Sequence, residues 1–235
     1  MSLFITFEGP EGSGKSTQAR LLREYLLERG YPVIAVREPG GTQISDIIRR
    51  VVLDLQHTEM DPTTEILLFS AARAQLVNEV IKPYLSHGGI VLCDRYADST
   101  YAYQGYGLNR SLDELRTITH IATGGLEPDV TIYLDLQAEQ GLERKVRAQL
   151  AKAQGNSSPL LPGGRTVAPV EWNRLDAREL AFHQRVETGY HELISQSPER
   201  WKLFDAMLPV DVLAQQISDA IEPLLEHVEL LEPNL

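Results

Sequence analysis

Residues 3–17 read LFITFEGPEGSGKST: a short apolar run, a glycine-rich turn, then a lysine and two hydroxyl residues. Gly9, Gly14, Lys15 and Ser16 fit the spacing G-x-x-x-x-G-K-[ST]. The run before the turn has strand character, and the residues after it place Leu21, Leu22, Tyr25 and Leu26 at helical spacing. That strand–loop–helix context is what a phosphate-binding loop demands. In such a loop Gly9, Pro10, Glu11, Gly12, Ser13, Gly14, Lys15, Ser16 and Thr17 form the ATP cradle: backbone N–H groups surround the β-phosphate, and the helix N-terminus adds a positive field. Lys15 is expected to reach the β/γ oxygens as a catalytic cation, and the Ser16 hydroxyl to ligate Mg²⁺. Glu11 is the anomaly, a carboxylate in a loop that ought to attract anions.

Working outward, apolar runs of strand length alternate with longer helical patterns. LFITFE (3–8), YPVIAVRE (31–38), GIVLCD (89–94), DVTIYLDL (129–136) and WKLFDA (201–206) are nearly continuously apolar, as parallel strands covered on both faces should be. Helices are expected over 16–29, from Pro62 behind an Asp61 cap with a break or kink at Pro83, and after Ser111 in a capping box with Glu114 ending at Gly124-Gly125. Further helices are expected near 138–153, 174–196 and 209–226. The alternation predicts an α/β fold, an open five-stranded parallel sheet with helices on both faces in one domain spanning 1–235. QGNSSPLLPGGRTVAPVE (154–171), rich in Gly, Pro and Ser, interrupts the rhythm as a mobile loop, and the terminal LLEPNL is expected to fray.

The chain has 235 residues and a net charge of −11, which argues against nucleic-acid binding. The lone cysteine, Cys93, lies within an apolar run and reads as a buried strand residue, so no intrachain disulfide is possible. MSLFITF has no basic n-region, and no apolar stretch has the length of a membrane span, so a cytoplasmic protein without membrane contact is expected. The six histidines show no metal-ligand spacing.

Asp94 closes the strand GIVLCD, where phosphate-loop proteins keep an acidic residue near the metal, here through a water. An ATP–Mg²⁺ donor implies an acceptor, and a small one bound at the carboxyl ends of the strands is the economical choice. Arg95 follows Asp94 at a strand end, and Phe69 and Arg73 are four apart on one helix face. A ring beside a guanidinium suits a planar base.

FEGPEGSGKSTQ, REPGGT, FSAARAQ and DRYADSTYAYQG, in this order, together with DVTIYLDL, GLERKVRA and NRLDARELAFHQRV, resemble bacterial thymidylate kinases, a family of P-loop nucleoside monophosphate kinases. The resemblance implies a five-stranded parallel sheet, a small LID over the ATP (about 140–175, carrying the 154–171 insertion), transfer from ATP–Mg²⁺ to dTMP, and a homodimer. It implies that Glu11 accepts a hydrogen bond from the dTMP 3′-hydroxyl. Phe69 would stack on thymine and Arg73 would hydrogen-bond a ring carbonyl. Arg95 and Arg49, rather than Arg50, would grip the dTMP phosphate. Ser99, Thr100 and Gln104 would lie beside the base, and Tyr103 on the sugar. Since the loop lacks the arginine some relatives place there, LID arginines would substitute: Arg144 and Arg147, with Arg174 as a further option. Glu38 would hold a metal-bound water or brace its loop. NRLD (173–176) stands where relatives often read DRIE. Two rivals stay open: a P-loop kinase for another nucleotide or a nucleoside, and a nucleotide-driven switch that binds a protein partner.

Overall fold

A computed structural model describes residues 2–153, 160–161, 165–166 and 172–230. Five strands, β1 (Leu3–Glu8), β2 (Val33–Arg37), β3 (Ile90–Asp94), β4 (Val130–Asp135) and β7 (Trp201–Asp205), form a parallel sheet in the order β2-β3-β1-β4-β7. Each lies within the run that its apolar residues predict. Registers such as Leu3↔Ile90, Ile5↔Val130 and Thr131↔Trp201 bring the carboxyl ends of the strands to one edge. β1 is central and wholly buried. The chain first builds outward through β2 and β3 on one side of β1 and then crosses to β4 on the other. This reversal opens a crevice at the carboxyl end of β1.

Alternation along β1 divides the core. Leu3, Ile5 and Phe7 face α1 (Lys15–Glu28) and α9 (Val210–Ile221), packing with Leu22, Leu26, Leu213, Ile217 and Ile221. Phe4 faces the other way, against Leu76, Val77, Ile81 and Tyr96. Beside it Tyr133 and Trp201 meet Tyr103, Phe182, Val186 and Tyr190. Each such buried aliphatic or aromatic side chain contributes about 1.5–3 kcal/mol. By the same alternation Glu8 is carried to the second face, beneath the crevice, and Cys93 is buried in β3 as its run predicts.

On that second face lie α2 (Gln43–Leu53), α3 (Pro62–Leu76), α4 (Lys82–Ser86), α5 (Ala97–Thr100), α6 (Leu112–Thr123) and α8 (Leu180–Gln196). Asp61 caps α3 and Ser111 caps α6, and α6 ends at a left-handed Gly124, all as the caps predict. The helix entering Pro83 widens into a π-turn over Val77–Ile81 and then runs on to Ser86, so the proline coincides with an irregularity rather than an end. A second π-wound segment, Tyr101–Gly107, continues α5, and Ala102, Tyr103, Gln104 and Gly105 are consecutively buried in it.

Three departures from the sequence reading are structural. Residues 174–178 form turns, and α8 starts only at Leu180, because Arg174 and Asp176 are held in tertiary contacts described below. α9 stops at Ile221 and tightens to a 3₁₀ turn over Glu222–His227, since Pro223 has no N–H to continue an α-helix. α7 (Ala138–Ala153) matches its expected span, but β5 (Leu160–Leu161) and β6 (Arg165–Thr166) pair antiparallel inside the stretch read as an unstructured loop. The rest of the 154–171 insertion, and the terminal stretch from residue 231, lie outside the described residues.

Candidate active site

The turn after β1 leads into α1 through Gly14, whose φ of 97° places it in the left-handed region. α2, α3 and α6 each receive a side-chain cap, but α1 has none and no acid in its first turn. Its first N–H groups therefore remain available to a ligand and concentrate the positive end of the helix. Gly12 (φ 71°) packs directly on α7: a Cβ there would sit 2.2 Å from the Gly141 carbonyl, and a Cβ on Gly141 would sit 2.0 Å from the Glu11 carbonyl. The loop and α7 thus touch backbone to backbone.

Lys15 is folded back. Its Nζ donates to the carbonyls of Gly9 (3.1 Å) and Pro10 (2.8 Å) and to Ser13 Oγ (3.2 Å). Burial, with the nearby Arg95 charge, lowers its pKa to about 8. The exposed Ser16 hydroxyl donates to the Asp94 carboxylate, so the two expected metal-side residues meet where β3 and α1 converge. A hydroxyl and one carboxylate facing an open cleft match Mg²⁺, which takes few protein ligands and keeps its waters and substrate oxygens. Among the described residues no cluster of three or more His, Cys, Asp or Glu could hold a metal.

Across the cleft Arg95 Nη2 donates to Glu11 Oε1 (2.6 Å) and to Tyr103 Oη (3.0 Å), and Nη1 donates to Ser99 Oγ (3.1 Å). Glu11 Oε1 also accepts from Tyr103 Oη (2.9 Å), and Oε2 from Lys145 Nζ (3.1 Å). Burial opposes the Glu11 charge, but Arg95, Lys145 and Lys15 outweigh it and hold the carboxyl well below its usual range. The carboxylate in the loop is therefore enclosed by cations.

Arg73 is almost wholly buried. Its Nε donates to Glu38 Oε2 (2.7 Å), and Nη2 donates to the Tyr96 carbonyl and Thr100 Oγ1 (both 3.0 Å). Among the described residues its Nη1 and Glu38 Oε1 have no partner. Burial pushes Glu38 up to about 7 against the pull of Arg73. Gln104 Nε2 donates to Glu65 Oε1 (2.8 Å). Arg49 Nη1 donates to the Pro39 carbonyl (2.9 Å).

One cleft of about 980 Å³ collects these groups. Its wall includes Glu11, Gly12, Ser13, Gly14, Lys15, Ser16 and Thr17 on one side, and Arg49, Phe69, Arg73, Arg95, Ser99, Thr100, Tyr103 and Gln104 on the other, with Glu38, Asp94 and Arg144 also present. Nine lysine and arginine side chains against four carboxylates line it, although the chain as a whole is acidic. That local excess focuses an anion-attracting field. Gly9 and Pro10 are not in the wall and serve through their carbonyls to Lys15. Arg50, set aside in favour of Arg49, is exposed outside it.

Arg144 reaches the Ala206 carbonyl (3.0 Å) at the cleft edge. Arg147 points to solvent, 79% exposed and paired with Glu143, and Arg174 is buried away from the cleft. The sequence reading passed over Lys145, which bridges Glu11 and both Asp176 oxygens (2.7 Å each). Spacing could have found it: Gly141, Lys145 and Ala148 share one face of α7. It also passed over Glu8, which accepts from Tyr96 N (2.8 Å), Ser99 Oγ (2.7 Å) and Tyr190 Oη (2.7 Å) beneath Arg95.

Known proteins match this chain over most of its length. The family model for thymidylate kinase covers residues 7–158. A thymidylate kinase of Roseiflexus castenholzii is 67% identical over 232 residues, 99% of this chain and 98% of that protein. One of Herpetosiphon aurantiacus is 60% identical, covering 98% of this chain and 100% of its own length. The crystal structure of thymidylate kinase from Ehrlichia chaffeensis superposes with a TM-score of 0.69 at 27% identity, over 94% of this chain and 98% of that one. With a family model matching nearly two thirds of the chain and full-length relatives at this identity, the chain belongs to the thymidylate kinase family.

Proposed function

We propose that the chain transfers the γ-phosphoryl group of ATP to the 5′-phosphate of dTMP, giving ADP and dTDP. One observation carries this reading: the uncapped loop with Lys15 and the pocket holding Phe69, Arg73 and Arg95 open into the same cleft. Donor and acceptor can therefore lie in line, and most of the barrier is removed by alignment and charge neutralisation.

Lys15 leaves the Gly9 and Pro10 carbonyls for the β/γ-phosphate oxygens, and the N–H groups opening α1 bind the β-phosphate. Ser16, and Asp94 through water, hold Mg²⁺, which when bound neutralises charge on the transferring group. Arg95 and Arg49 bind the dTMP phosphate and lessen its repulsion by ATP. Arg144 closes the donor side from α7, with Arg147 the more remote candidate, and α7 with the 154–171 insertion acts as a LID that excludes water. Phe69 stacks on the base, Arg73 Nη1 supplies an unmet donor for a ring carbonyl, and Ser99 and Thr100 border the base. Tyr103 packs on the sugar, and Glu11 accepts from its 3′-hydroxyl. Glu38 acts as the brace of Arg73 rather than through a metal-bound water. The protein works as a cytoplasmic homodimer; exposed Ile44, Ile47 and Leu67 on α2 and α3 offer apolar surface for it.

The test is ADP release measured with dTMP, dUMP, CMP, UMP and thymidine. dTMP should lead, with dUMP about 10–200-fold behind, since one methyl in an apolar pocket is worth about 1–3 kcal/mol. Preference for CMP or thymidine would remove the reading.

A further inference from the structure

The transfer reaction makes no use of the buried carboxylate at the back of the base pocket. Glu65, near the start of α3, has no solvent exposure. Its Oε1 accepts from Gln104 Nε2 (2.8 Å), and its Oε2 accepts from Nη2 of Arg174 (2.5 Å) and of Arg178 (2.6 Å). Arg174 also donates Nε and Nη2 to the Val52 carbonyl, both at 3.1 Å, and its backbone N–H to the Leu53 carbonyl at 3.2 Å. The end of α2, the start of α3 and the turns before α8 are tied to this one group.

The partners fix an orientation. The two ends of a glutamine amide have the same shape, so its direction follows from what it faces. An ionised carboxylate, here between two guanidinium groups, can only accept. The NH₂ of Gln104 must therefore face Glu65, and its carbonyl oxygen must be turned away from it. Among the described residues nothing donates to that oxygen, and Gln104 lines the cleft. In the same wall Arg73 keeps Nη1 without a partner among the described residues, while its other nitrogens are engaged. One unmet acceptor and one unmet donor complement a pyrimidine with a carbonyl at C4 and N–H at N3. They oppose one with an amine at C4 and a bare ring nitrogen, where donor meets donor and acceptor meets acceptor.

We propose that Glu65, clamped by Arg174 and Arg178, is a positioning residue that fixes the Gln104 amide so that 4-keto pyrimidine nucleotides are accepted and 4-amino ones refused. The proposal rests on reading dTMP as the acceptor. It also gives Arg174 a task in the base pocket instead of at the transferring phosphate.

Kinetics with dTMP and dCMP test it. The wild-type protein should favour dTMP by about 10⁴-fold in kcat/KM, the scale set by unpaired polar groups. Glu65→Gln lets Gln104 present either end, and the dTMP:dCMP ratio should fall by about 30-fold or more. The double variant Glu65→Gln/Gln104→Glu again turns an acceptor-only group to the base and should restore most of the ratio. If both variants lose dTMP and dCMP turnover in parallel at an unchanged ratio, Glu65 is only structural and the proposal fails. Should Glu65→Gln not fold, ¹⁵N-labelled wild-type protein decides. The Gln104 NH₂ should be protected from exchange and keep its resonance when dTMP binds; an NH₂ that moves to the base overturns the proposal. A wild-type chain inactive on dTMP would instead sink the functional reading, so the two failures are distinguishable.

Discussion

The two halves of the cleft are built differently. The proposed donor half is built mainly on one contiguous stretch, residues 9–17, that would work through backbone N–H groups, and the Lys15 side chain is stowed on carbonyls of its own loop. The acceptor half is gathered from separate elements, and its side chains are held from behind: Arg73 by Glu38, Thr100 and Tyr96, Arg95 by Glu11, Tyr103 and Ser99, Gln104 by Glu65. A generic triphosphate needs only a cradle that a lysine completes on arrival. A particular base needs side chains already fixed in place, because freedom there would cost discrimination.

The sharpest way to break this contrast is at Lys15. Lys15→Ala should lower turnover about 10³-fold or more while circular dichroism and the urea midpoint stay near wild type, because the residue is stowed rather than structural. A large loss of stability would show the donor half to be as locked as the acceptor half.

Arg73→Ala should do the reverse. It leaves Glu38 buried without its cation and should cost about 3–5 kcal/mol in urea denaturation, beyond its effect on the dTMP KM. Burial already pushes Glu38 up to about 7, above its ordinary 4.5. A folded state that holds this proton more tightly than the unfolded chain loses stability as pH rises. The variant should therefore be least damaged near pH 5 and worsen through pH 7 and above. Adding Glu38→Gln should recover stability without recovering dTMP binding; recovery of both would mean the pair is not there for the base.

Gly141→Ala is expected to act less strongly. Its methyl would meet the Glu11 carbonyl, so α7 must lift from the loop, costing about 1–3 kcal/mol and raising the KM for ATP more than that for dTMP. An equal rise in both would blur the distinction between the halves.

The smallest effect is a pH dependence of ATP binding. Lys15, lowered to about 8 by burial and Arg95, is charged below that pH and neutral above it in the nucleotide-free protein. ATP needs the charged form, so affinity should be flat near pH 6–7 and weaken as pH rises past 8, by up to about tenfold per unit. Calorimetry in buffers of different ionisation enthalpy should record proton uptake with ATP near pH 8, and none in Lys15→Ala.

What was legible follows the same division. The donor loop and all five strands could be read because their information is local: fixed glycine spacing, and apolar runs that only a doubly covered parallel strand needs. α2 was readable and was passed over, for Ile44, Ile47, Ile48 and Val51 repeat at helical spacing behind the Thr42 cap. Residues 97–107 were not readable as helix: ADSTYAYQGYG is poor in helix formers, and packing against α8 overrides its propensities. Glu65 has no local feature that sets it apart from any first-turn acid, and Arg174 reads as one more LID cation, because nothing local marks a charge whose partner lies more than a hundred residues away.

The π-wound coil of Tyr101–Gly107 turns adjacent residues to different partners, Tyr103 to Glu11 and Gln104 to Glu65, which in the proposed reading serve different parts of the acceptor. Such a turn is an α-turn with one residue added. Removing one residue from it would let the coil rewind as an α-turn, so that the side chains within it take new directions while the chain beyond keeps its bearing. Among homologous genes, loss or gain of a single codon here would be a shorter route to altered base choice than any exchange of side chains.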